Sequence, residues 1–391
     1  MSEHASILFA SLRGPTQEAR RGGAQDYLRF VAGPWTQAGY RVRVLCGYER
    51  LPDGTPLPQT ELVDGIEVER IGTNGRDIRA LRVAVREAAP DADLVIENIM
   101  GFPLLLPWGV PSDTPLVAIK HHFQGATFFR SQGRLRGLVG RSLEDVAQPL
   151  VYRYVPMIVP SAMTAEHIAR QWVRHRAALA VIPPGIPQPA VTSSARADAP
   201  TILYVGGLHL ARKRVDHLLD AFEMVRKTQP EAQLWVAGDG PDRAYLEAQA
   251  GPGVSFFGFV TEEEKARLYE QAWVFASPSM QEGFGITWVE ANSYGLPVIG
   301  YQIAGLNTVD ETCALMVEPG NQSALAAGLQ RVLSDDALRA QLAEGGRKNA
   351  SRFSWARTSK DVLAFALEAS GLQTSVGPAN LIAPSLSFEN G

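Results

Sequence analysis

Short apolar runs alternate with longer amphipathic stretches along the first half of the chain. The runs of strand length are residues 7–11, 41–46, 66–71, 94–97, 116–120 and 157–161. A helical pattern follows the first run over residues 24–37, and further helical patterns lie between several of the others. This alternation predicts a mostly parallel sheet that helices cover on both faces.

Residues 181–200 interrupt this rhythm. Their sequence, VIPPGIPQPAVTSSARADAP, is rich in Pro, Ser and Ala and has no apolar period, which indicates a linker. Strand patterns then resume at residues 201–206, 233–238, 254–258, 273–277 and 296–300. Helical patterns fall at residues 214–228, 262–272, 286–294, 321–333 and 355–369.

The whole pattern predicts an α/β protein with two doubly wound domains. The first covers residues 1–185 and the second residues 200–354, while residues 355–391 form a last helix and a mobile tail. In doubly wound sheets, ligands bind beyond the carboxyl ends of the strands. We therefore expect the two domains to face each other across one cleft.

Length and charge agree with this picture. A chain of 391 residues exceeds one ordinary core, and its net charge of −4 gives no support to a nucleic-acid partner. The charge is uneven, because residues 1–190 carry 21 Lys and Arg against 18 Asp and Glu, or +3. The remainder carries 37 − 21 = 16 against 41 − 18 = 23, or −7.

The chain shows the features of a cytoplasmic protein. Its first residues, MSEHASILFASLRG, lack the basic region of a signal peptide, and no segment approaches the roughly 20 apolar residues of a membrane span. The two cysteines, Cys46 and Cys313, are expected to be reduced, with one disulfide as the alternative. Peripheral contact with the inner face of a membrane is left open.

The first candidate site is the stretch QEGFGITWVEANSYGLPVIG, residues 281–300, with Glu282 and Glu290 on either side of a Gly-Phe-Gly turn. On one continuous helix, eight residues would separate these carboxylates by roughly 12 Å. Gly283 and Gly285 permit a turn instead, because glycine adopts backbone angles that other residues avoid. Both carboxylates can then face one small ligand, with backbone N–H groups between them.

A second candidate is YVGGLHLARKRVDHLLDAF, residues 204–222. Here a strand and a glycine turn lead to Arg212, Lys213 and Arg214, just before a helix. The N–H groups and dipole of a helix N-terminus favour an anion, and basic side chains add charge-assisted hydrogen bonds. A phosphate or diphosphate is the natural ligand, and a solvated basic turn is the alternative.

Two further strand ends follow in the second domain. The sequence WVAGDGPDR is read as a structural turn, and Thr261 with Glu264 has the spacing of a helix capping box. The backbone at Phe259 and Val260 would lie at a strand end, where it can read the edge of a nucleobase.

The first domain offers glycines and histidines. Gly22 and Gly23 lie between the first strand and the first helix and predict another phosphate-binding loop. The absence of G-x-G-x-x-G there argues against a dinucleotide enzyme. Lys120, His121 and His122 end a strand, where histidine suits proton transfer or a hydrogen bond to a hydroxyl. A structural pair is the alternative, and no third ligand completes a metal site.

Three other patterns concern possible surface contacts, metal binding and hydrolysis. Residues 128–141, FFRSQGRLRGLVGR, can meet an anionic acceptor or a lipid surface, or form an ordinary arginine-bearing helix. The Asp-Ala-Asp of residues 91–93 precedes its strand, so we interpret it as a turn at the amino end of the sheet. No Ser-His-Asp or Cys-His pattern supports a hydrolase.

In this order, the motifs resemble those of the retaining glycosyltransferases of the GT-B fold, glycosyltransferase family 4 (glycosyl transferases group 1). The resemblance covers about residues 5–370 and is most specific over 204–320. It rests on GGAQDYLRFVAGPWTQAGYRVRVLC, VIPPGI, AGDGP, FFGFVTEEEKARLYEQA, SPSMQEGFGITWVEANSYGLPVIG and AGLNTVDETCALMVEPGN. It implies two Rossmann-like domains, an N-terminal one for the acceptor and a C-terminal one for the nucleotide-sugar donor. A last helix with Trp355 would cross back onto the first domain.

The resemblance also implies roles for residues of the glycine turn. Glu290 would hold the ribose hydroxyls of the donor, and Glu282 would contact the transferred sugar at its reacting face. The backbone of Gly283, Phe284 and Gly285 would bond sugar hydroxyls and phosphate.

Elsewhere, the resemblance implies that Lys213 binds the diphosphate and that Gly23 approaches it from the other domain. His121 or His122 would match the family's active-site histidine, and strand alignment favours His121.

The chain also departs from the family pattern. Gly207 stands where the family has a diphosphate-binding arginine, for which Arg212 is the candidate replacement. One extra residue between Leu208 and Lys213 leaves Arg212 and Lys213 as alternatives for the lysine position. Trp288 is unusual at its place in the motif.

The activity implied by the resemblance is a retaining, metal-independent sugar transfer. The donor would be a UDP-, GDP- or dTDP-linked sugar, no cofactor would be needed, and the acceptor would be a small molecule or a lipid-linked glycan. A sugar-phosphate synthase or phosphorylase of the same fold is one alternative, with the arginines of residues 130–141 as its phosphate site. A silent nucleotide-sugar or glycan-binding protein is the other.

Overall fold

The structure is a computed structural model. It describes residues 5–16, 23–50, 54–72, 77–121, 123, 134–171, 175–189, 196–303 and 306–372. Internal contacts divide the chain into two compact units, which are described separately. Unit 1 comprises Met1–Gly185 and Trp355–Gly391, and unit 2 comprises Ile186–Ser354.

Unit 1 contains an eight-stranded sheet in the order β3-β4-β2-β1-β5-β6-β7-β8. Its strands are β1 (Ser6–Ser11), β2 (Arg41–Gly47), β3 (Thr60–Val63), β4 (Ile66–Ile71), β5 (Leu94–Ile99), β6 (Leu116–Lys120), β7 (Met157–Val159) and β8 (Leu179–Val181). All neighbours pair in parallel except β3 and β4, which are antiparallel. Strands β2 to β4 extend the sheet on one side of β1, and strands β5 to β8 extend it on the other. The order in which strands are added therefore reverses between β1 and β5.

The helices of unit 1 are α1 (Gly23–Gln37), α2 (Ile78–Ala88), α3 (Arg134–Ser142), α4 (Gln148–Val151), α5 (Ala162–Gln171) and α13 (Trp355–Ala369). Short 3-10 turns cover Ala89–Asp91 and Leu106–Trp108, and a π-helical turn, Leu143–Ala147, joins α3 to α4. The last helix packs on the first. The Trp35 indole N–H donates to the carbonyl of Ser359 at 3.1 Å, and the Ser359 hydroxyl donates to the carbonyl of Val31.

Unit 2 contains a six-stranded sheet in the order β11-β10-β9-β12-β13-β14, with all neighbours parallel. Its strands are β9 (Thr201–Val205), β10 (Gln233–Ala237), β11 (Val254–Gly258), β12 (Val274–Ser277), β13 (Val298–Tyr301) and β14 (Ala314–Val317). Its helices are α6 (Leu210–Lys213), α7 (Val215–Arg226), α8 (Arg243–Gln249), α9 (Glu262–Gln271), α10 (Ile286–Ser293), α11 (Gln322–Ser334) and α12 (Asp336–Ala350).

The apolar runs form strands because both of their faces are buried. In β1, Ile7 and Phe9 belong to a core cluster that includes residues of α1 and α13, whereas Leu8 and Ala10 belong to a cluster with residues of α2. A strand that alternates between two helix layers needs apolar residues at every position. The predicted α/β class with two doubly wound sheets is confirmed.

Several local predictions are also confirmed. Thr261 and Glu264 form the capping box at the start of α9, with both of its hydrogen bonds present. The carboxylate of Asp93 accepts from the backbone N–H of Ser6 at 2.7 Å, so this turn lies at the amino end of the sheet. Cys46 and Cys313 are free buried thiols, which excludes the alternative of a disulfide between them.

Other elements escaped the sequence patterns: the short strands β3, β8 and β14 and the helix α12 were not predicted. The linker is also more tightly held than its composition suggests. The guanidinium of Arg196 donates to the carbonyls of Tyr269, Glu270, Ala272, Tyr294 and Gly295, at 2.7 to 3.3 Å. This end of the linker is therefore part of unit 2. The predicted mobile tail, residues 374–391, lies outside the described residues.

Candidate active site

The order of strands in unit 2 selects one edge of its sheet. Strands β10 and β11 extend the sheet on one side of β9, and strands β12 to β14 extend it on the other, so the order in which strands are added reverses between β9 and β12. At such a switch point, the loops after the two central strands diverge and leave a crevice for a ligand. The loop after β9 leads to Lys213, and the loop after β12 contains Glu282.

These two loops are joined by an ion pair. The ammonium Nζ of Lys213 lies 2.5 Å from Oε1 of Glu282, and the two side chains are only 16% and 13% exposed. The backbone N–H of Met280 donates to the carbonyl of Arg212 at 2.7 Å, so the main chains are linked as well. The structure therefore brings together two candidates that lie 69 residues apart.

Glycines allow the loops after β9 and β10 to pack backbone against backbone. A Cβ on Gly238 would lie 1.9 Å from the carbonyl oxygen of Gly206, and one on Gly240 would lie 2.4 Å from that of Leu208. Gly238 also has a φ of +141°, which other residues rarely adopt. The carboxylate of Asp242 accepts from the N–H of Leu210 at 2.8 Å and fixes the start of α6. Lys213 is thus presented from a closely held turn.

The Gly-Phe-Gly motif of residues 283–285 leads into α10. Gly285 has a φ of +80° and is the N-cap residue of this helix, without a side-chain cap. Phe284 is buried in a cluster with Ile186, Val289 and Phe353, and its ring meets that of Phe353 at 5.3 Å between centroids. Because the Phe284 side chain is held in this cluster, the turn contributes its backbone to the site. The first N–H groups of a helix have no carbonyl partner within it, so they can bind an anion.

Glu290 lies one turn further along α10 and is only 7% exposed. Its carboxylate accepts from the Tyr269 hydroxyl at 3.1 Å and from the Lys265 ammonium at 3.3 Å. Burial raises the pKa of Glu290, and the nearby Lys265 opposes this shift. The Tyr269 ring stacks on that of Tyr294 at 5.2 Å. The carboxylate is therefore held in one orientation before any ligand arrives.

The sequence motifs did not predict Lys265 and Tyr269 as partners of Glu290. A signal was present, because the two residues are four apart on α9 and lie on the same face of that helix. Trp288, which departs from the family pattern, is fully buried with its ring 3.2 Å from the place of a Cβ on Gly300. It belongs to the core beneath the site.

The remaining candidates of unit 2 lie at the same carboxyl edge. Phe259 and Val260 follow β11 directly, and the ring of Phe259 is 51% exposed. Gly207 lies in the turn after β9, and a Cβ there would be 3.2 Å from the ring of His209. Burial lowers the pKa of His209, and the cationic side chain of Arg212 lowers it further. The imidazole of His209 is therefore neutral at neutral pH and adds no positive charge beside Arg212 and Lys213.

Unit 1 has its own switch point, between β1 and β5, and His121 lies beside it. The Nε2 of His121 is 2.6 Å from Oδ1 of Asn98, and the Asn98 amide donates to the hydroxyl of Ser11. The rings of Tyr27 and His121 are nearly perpendicular, with 4.6 Å between their centroids. Three adjacent strand ends thus fix one histidine, with Nε2 placed to donate its proton to Asn98.

The other candidates of unit 1 are less completely described. Gly23 is the first residue of α1. Gly22, His122 and residues 128–133 lie outside the described residues. Among the described residues, no group of three or more His, Cys, Asp or Glu side chains could hold a metal ion.

Comparison with known proteins places this geometry in a class. Residues 199–335 match the family model of Glycosyl transferases group 1. The phosphatidyl-myo-inositol mannosyltransferase of Mycobacterium leprae is 26% identical over 363 residues, which is 88% of this chain and 92% of that protein. Two shorter matches, 34% and 36% identical, span only 44% and 28% of the relatives' own length.

Solved structures show the same fold. The sucrose-phosphate synthase of Thermosynechococcus elongatus has a TM-score of 0.73 at 22% identity, over 92% of this chain and 97% of that one. A pneumococcal O-GlcNAc transferase, solved with UDP and GlcNAc, has a TM-score of 0.69 at 14% identity, over 94% and 99%. The fold is GT-B, two Rossmann-like doubly wound domains, and the family match supports a glycosyltransferase.

Proposed function

We propose that this protein is a retaining glycosyltransferase that moves a sugar from a nucleoside-diphosphate sugar to an acceptor hydroxyl without a metal ion. The observation that carries the proposal is the Lys213–Glu282 pair at the switch point of unit 2, in the loop that leads into α10. The free buried thiols of Cys46 and Cys313 fit a cytoplasmic location.

The cations and the helix end suit the diphosphate of such a donor. When the bond between the anomeric carbon and oxygen breaks, negative charge grows on the departing diphosphate. Lys213, Arg212 and the first N–H groups of α10 would stabilise this charge, and donors fixed in advance do so without reorganisation. These groups provide the charge that a metal ion would otherwise supply.

Glu290 would bind the nucleoside part of the donor. Its oxygens already accept one hydrogen bond each, from Tyr269 and Lys265. A carboxylate offers about four lone-pair directions, so two hydroxyl groups of a ribose can still donate to it. The backbone at Phe259 and Val260, at the neighbouring strand end, would meet the base.

Retention follows if the acceptor attacks on the face that the diphosphate leaves. The electron pair of the anomeric bond passes to the diphosphate oxygen, the acceptor oxygen bonds to the anomeric carbon, and the acceptor proton moves to the diphosphate. Glu282 would hold the sugar at its reacting face. His121, fixed by Asn98, would hydrogen-bond a sugar hydroxyl, and Gly23 would approach the diphosphate.

The acceptor is chosen by unit 1. The mycobacterial relative is named for transfer to a phosphatidyl-myo-inositol, so lipid acceptors deserve the first place in a screen. A sugar-phosphate synthase would differ only in taking a phosphorylated acceptor, and a silent binding protein would bind the donor without turning it over.

Donor binding and turnover test the proposal. Calorimetry with UDP-, GDP-, dTDP- and ADP-sugars, with EDTA present, should reveal one preferred donor, and the Glu290→Gln variant should bind it about tenfold or more weakly. Glu231→Gln is the matched control, because this exposed acid lies before β10 at the opposite edge of the sheet. Slow release of the nucleoside diphosphate identifies an enzyme, and binding without release identifies a silent protein.

Once an acceptor is found, the anomeric proton of the product in an NMR spectrum reports its configuration. An inverted product would overturn the proposed same-face mechanism. Absence of binding to every nucleotide sugar would overturn the donor site itself.

A further inference from the structure

One helix of unit 1 carries its apolar side chains outward. The helical run from Arg134 to Val151 passes through α3, the π-helical turn and α4. Along it and just beyond, five large apolar or aromatic side chains are 45% to 66% exposed: Leu138, Val139, Val146, Leu150 and Tyr154. We call these five residues the outward stripe.

Two polar side chains lie on the inward side of the same helix, where Pro149 and Val151 are also buried. Glu144 and Gln148 are each 1% exposed, and both face the buried ammonium of Lys120, which lies at the end of β6. The distances are 2.8 Å from Lys120 Nζ to Gln148 Oε1 and 3.7 Å to Glu144 Oε1. A surface helix normally keeps its large apolar side chains on the inward face and its charged side chains outward. This helix cannot turn its stripe inward without leaving Lys120 as an uncompensated buried charge.

The stripe differs from the other exposed apolar residues of unit 1. Phe30, Leu62, Val83 and Trp108 come from four separate elements, and single exposed apolar residues are common in soluble proteins. The stripe instead spans residues 138–154, of which residues 138–151 are helical and cover about 20 Å at 1.5 Å per residue. A continuous exposed apolar surface of this kind marks an interaction site.

The sequence segment that contains the stripe is positively charged. Residues 120–180 contain 9 Lys and Arg against 3 Asp and Glu, or +6, whereas residues 1–119 contain 12 against 15, or −3. The three acids are paired: Glu144 with Lys120, Asp145 with Arg141, and Glu166 with Arg170.

One cation lies directly beside the apolar residues. The guanidinium of Arg153 is exposed and sits 4.6 Å from the centre of the Tyr154 ring. The carbonyl of Arg153 accepts from the N–H of Arg176, so two exposed arginines lie at this end of the stripe. The stripe and these cations together form an apolar surface edged by positive charge.

We propose that the outward stripe lies on an anionic lipid bilayer. An amphipathic helix binds in the interfacial plane when its apolar face enters the boundary between headgroups and acyl chains and its cations meet anionic headgroups. No helix in the described part of the chain has the length and apolarity to span a membrane, so the contact is peripheral. The inference rests on unit 1 alone and holds whatever unit 2 binds.

Vesicle co-sedimentation of the full chain tests the contact. Vesicles of phosphatidylglycerol and phosphatidylcholine in equal parts should retain the protein, while vesicles of phosphatidylcholine alone should retain it at least tenfold more weakly. The double variant Val146→Glu/Leu150→Glu should lose about tenfold or more of its binding to anionic vesicles. Arg153→Gln should lose about fivefold, as expected for one cation at an anionic surface.

Val83→Glu is the matched control, since Val83 is 55% exposed on α2 and should leave vesicle binding unchanged. The milder pair Val146→Thr/Leu150→Ser serves if the glutamates impair folding, and a thermal melt of each variant shows whether they do. Equal binding of wild type and the double variant would overturn the proposal. So would failure of the wild type to bind anionic vesicles, whether it then self-associates through the stripe or binds an anionic polysaccharide.

Discussion

Replacing Glu282 by glutamine should affect nucleotide binding and sugar transfer in opposite directions. In the structure, the Glu282 carboxylate lies against the ammonium of Lys213, the group proposed to bind the donor diphosphate. It therefore occupies one face of that cation and adds negative charge where a diphosphate must arrive. Glutamine keeps the size of the side chain and removes the charge. Free nucleoside diphosphate should then bind more tightly, while transfer should fall because the sugar loses its carboxylate partner.

The magnitude follows from the burial of the pair. Two unit charges about 4 Å apart interact by about 4 kcal/mol at an effective dielectric constant of 20. Both side chains keep some exposure, 16% for Lys213 and 13% for Glu282, so solvent screens part of this interaction. We expect a net gain of about 1 kcal/mol, or about fivefold tighter binding of the nucleoside diphosphate. Loss of the pair should lower the free energy of unfolding by about 1–2 kcal/mol.

Calorimetric titration with the preferred nucleoside diphosphate measures the first effect, and a coupled assay of diphosphate release measures transfer. Glu231→Gln controls for the removal of one negative charge from unit 2, since its side chain is exposed at the other edge of the sheet. Weaker or unchanged nucleotide binding in Glu282→Gln would refute the idea that the carboxylate competes for Lys213. Unchanged transfer would remove Glu282 from the sugar site.

Three further predictions concern stability. Gly238→Ala should lower the free energy of unfolding by about 2–4 kcal/mol in a urea titration, because the new Cβ would lie 1.9 Å from the carbonyl oxygen of Gly206. Gly251→Ala is the control: its Cβ meets nothing within 4 Å, so the free energy of unfolding should change little. Burial raises the pKa of Glu97 to about 7, from 4.5. As the pH rises, the unfolded chain therefore loses this proton before the folded chain does. The free energy of unfolding should fall by up to about 3 kcal/mol as the pH rises from 4.5 to 7. Glu97→Gln should flatten that slope, and an unchanged slope would assign it to other groups. Burial lowers the pKa of Lys120 to about 8, from 10.5, so its contribution has the opposite sign and should decrease as the pH falls from 10.5 to 8.

The sequence predicted those features that depend on local chemistry. Apolar runs identified the strands that are buried on both faces, and Thr261 with Glu264 identified a helix start. The glycine turn before α10 was visible because Gly285 must adopt a positive φ there. Each of these signals lies within a few neighbouring residues, where spacing alone specifies the geometry.

Features that depend on distant partners escaped. The strand β3 has only four residues and pairs antiparallel at the sheet edge, so its apolar pattern is too short to detect. The composition of residues 181–200 indicated a linker, yet Arg196 donates hydrogen bonds to carbonyls from two separate segments of unit 2. For residues 128–141 the sequence left three interpretations open, which were contact with an anionic acceptor, contact with a lipid surface, or an ordinary arginine-bearing helix. The burial of Glu144 and Gln148 was not predicted, because it depends on Lys120 in the distant strand β6.

The two units hold their candidate side chains at a sheet edge in the same way, with different residues. In each, the reversal of strand order opens one edge of a parallel sheet, and the side chains at that edge are held by hydrogen bonds from neighbouring strands or helices. In unit 2, Lys265 and Tyr269 orient Glu290, and Glu282 orients Lys213. In unit 1, Asn98 orients His121. The partners Lys265, Tyr269 and Glu282 all belong to unit 2, so a substitution in unit 1 removes none of these hydrogen bonds.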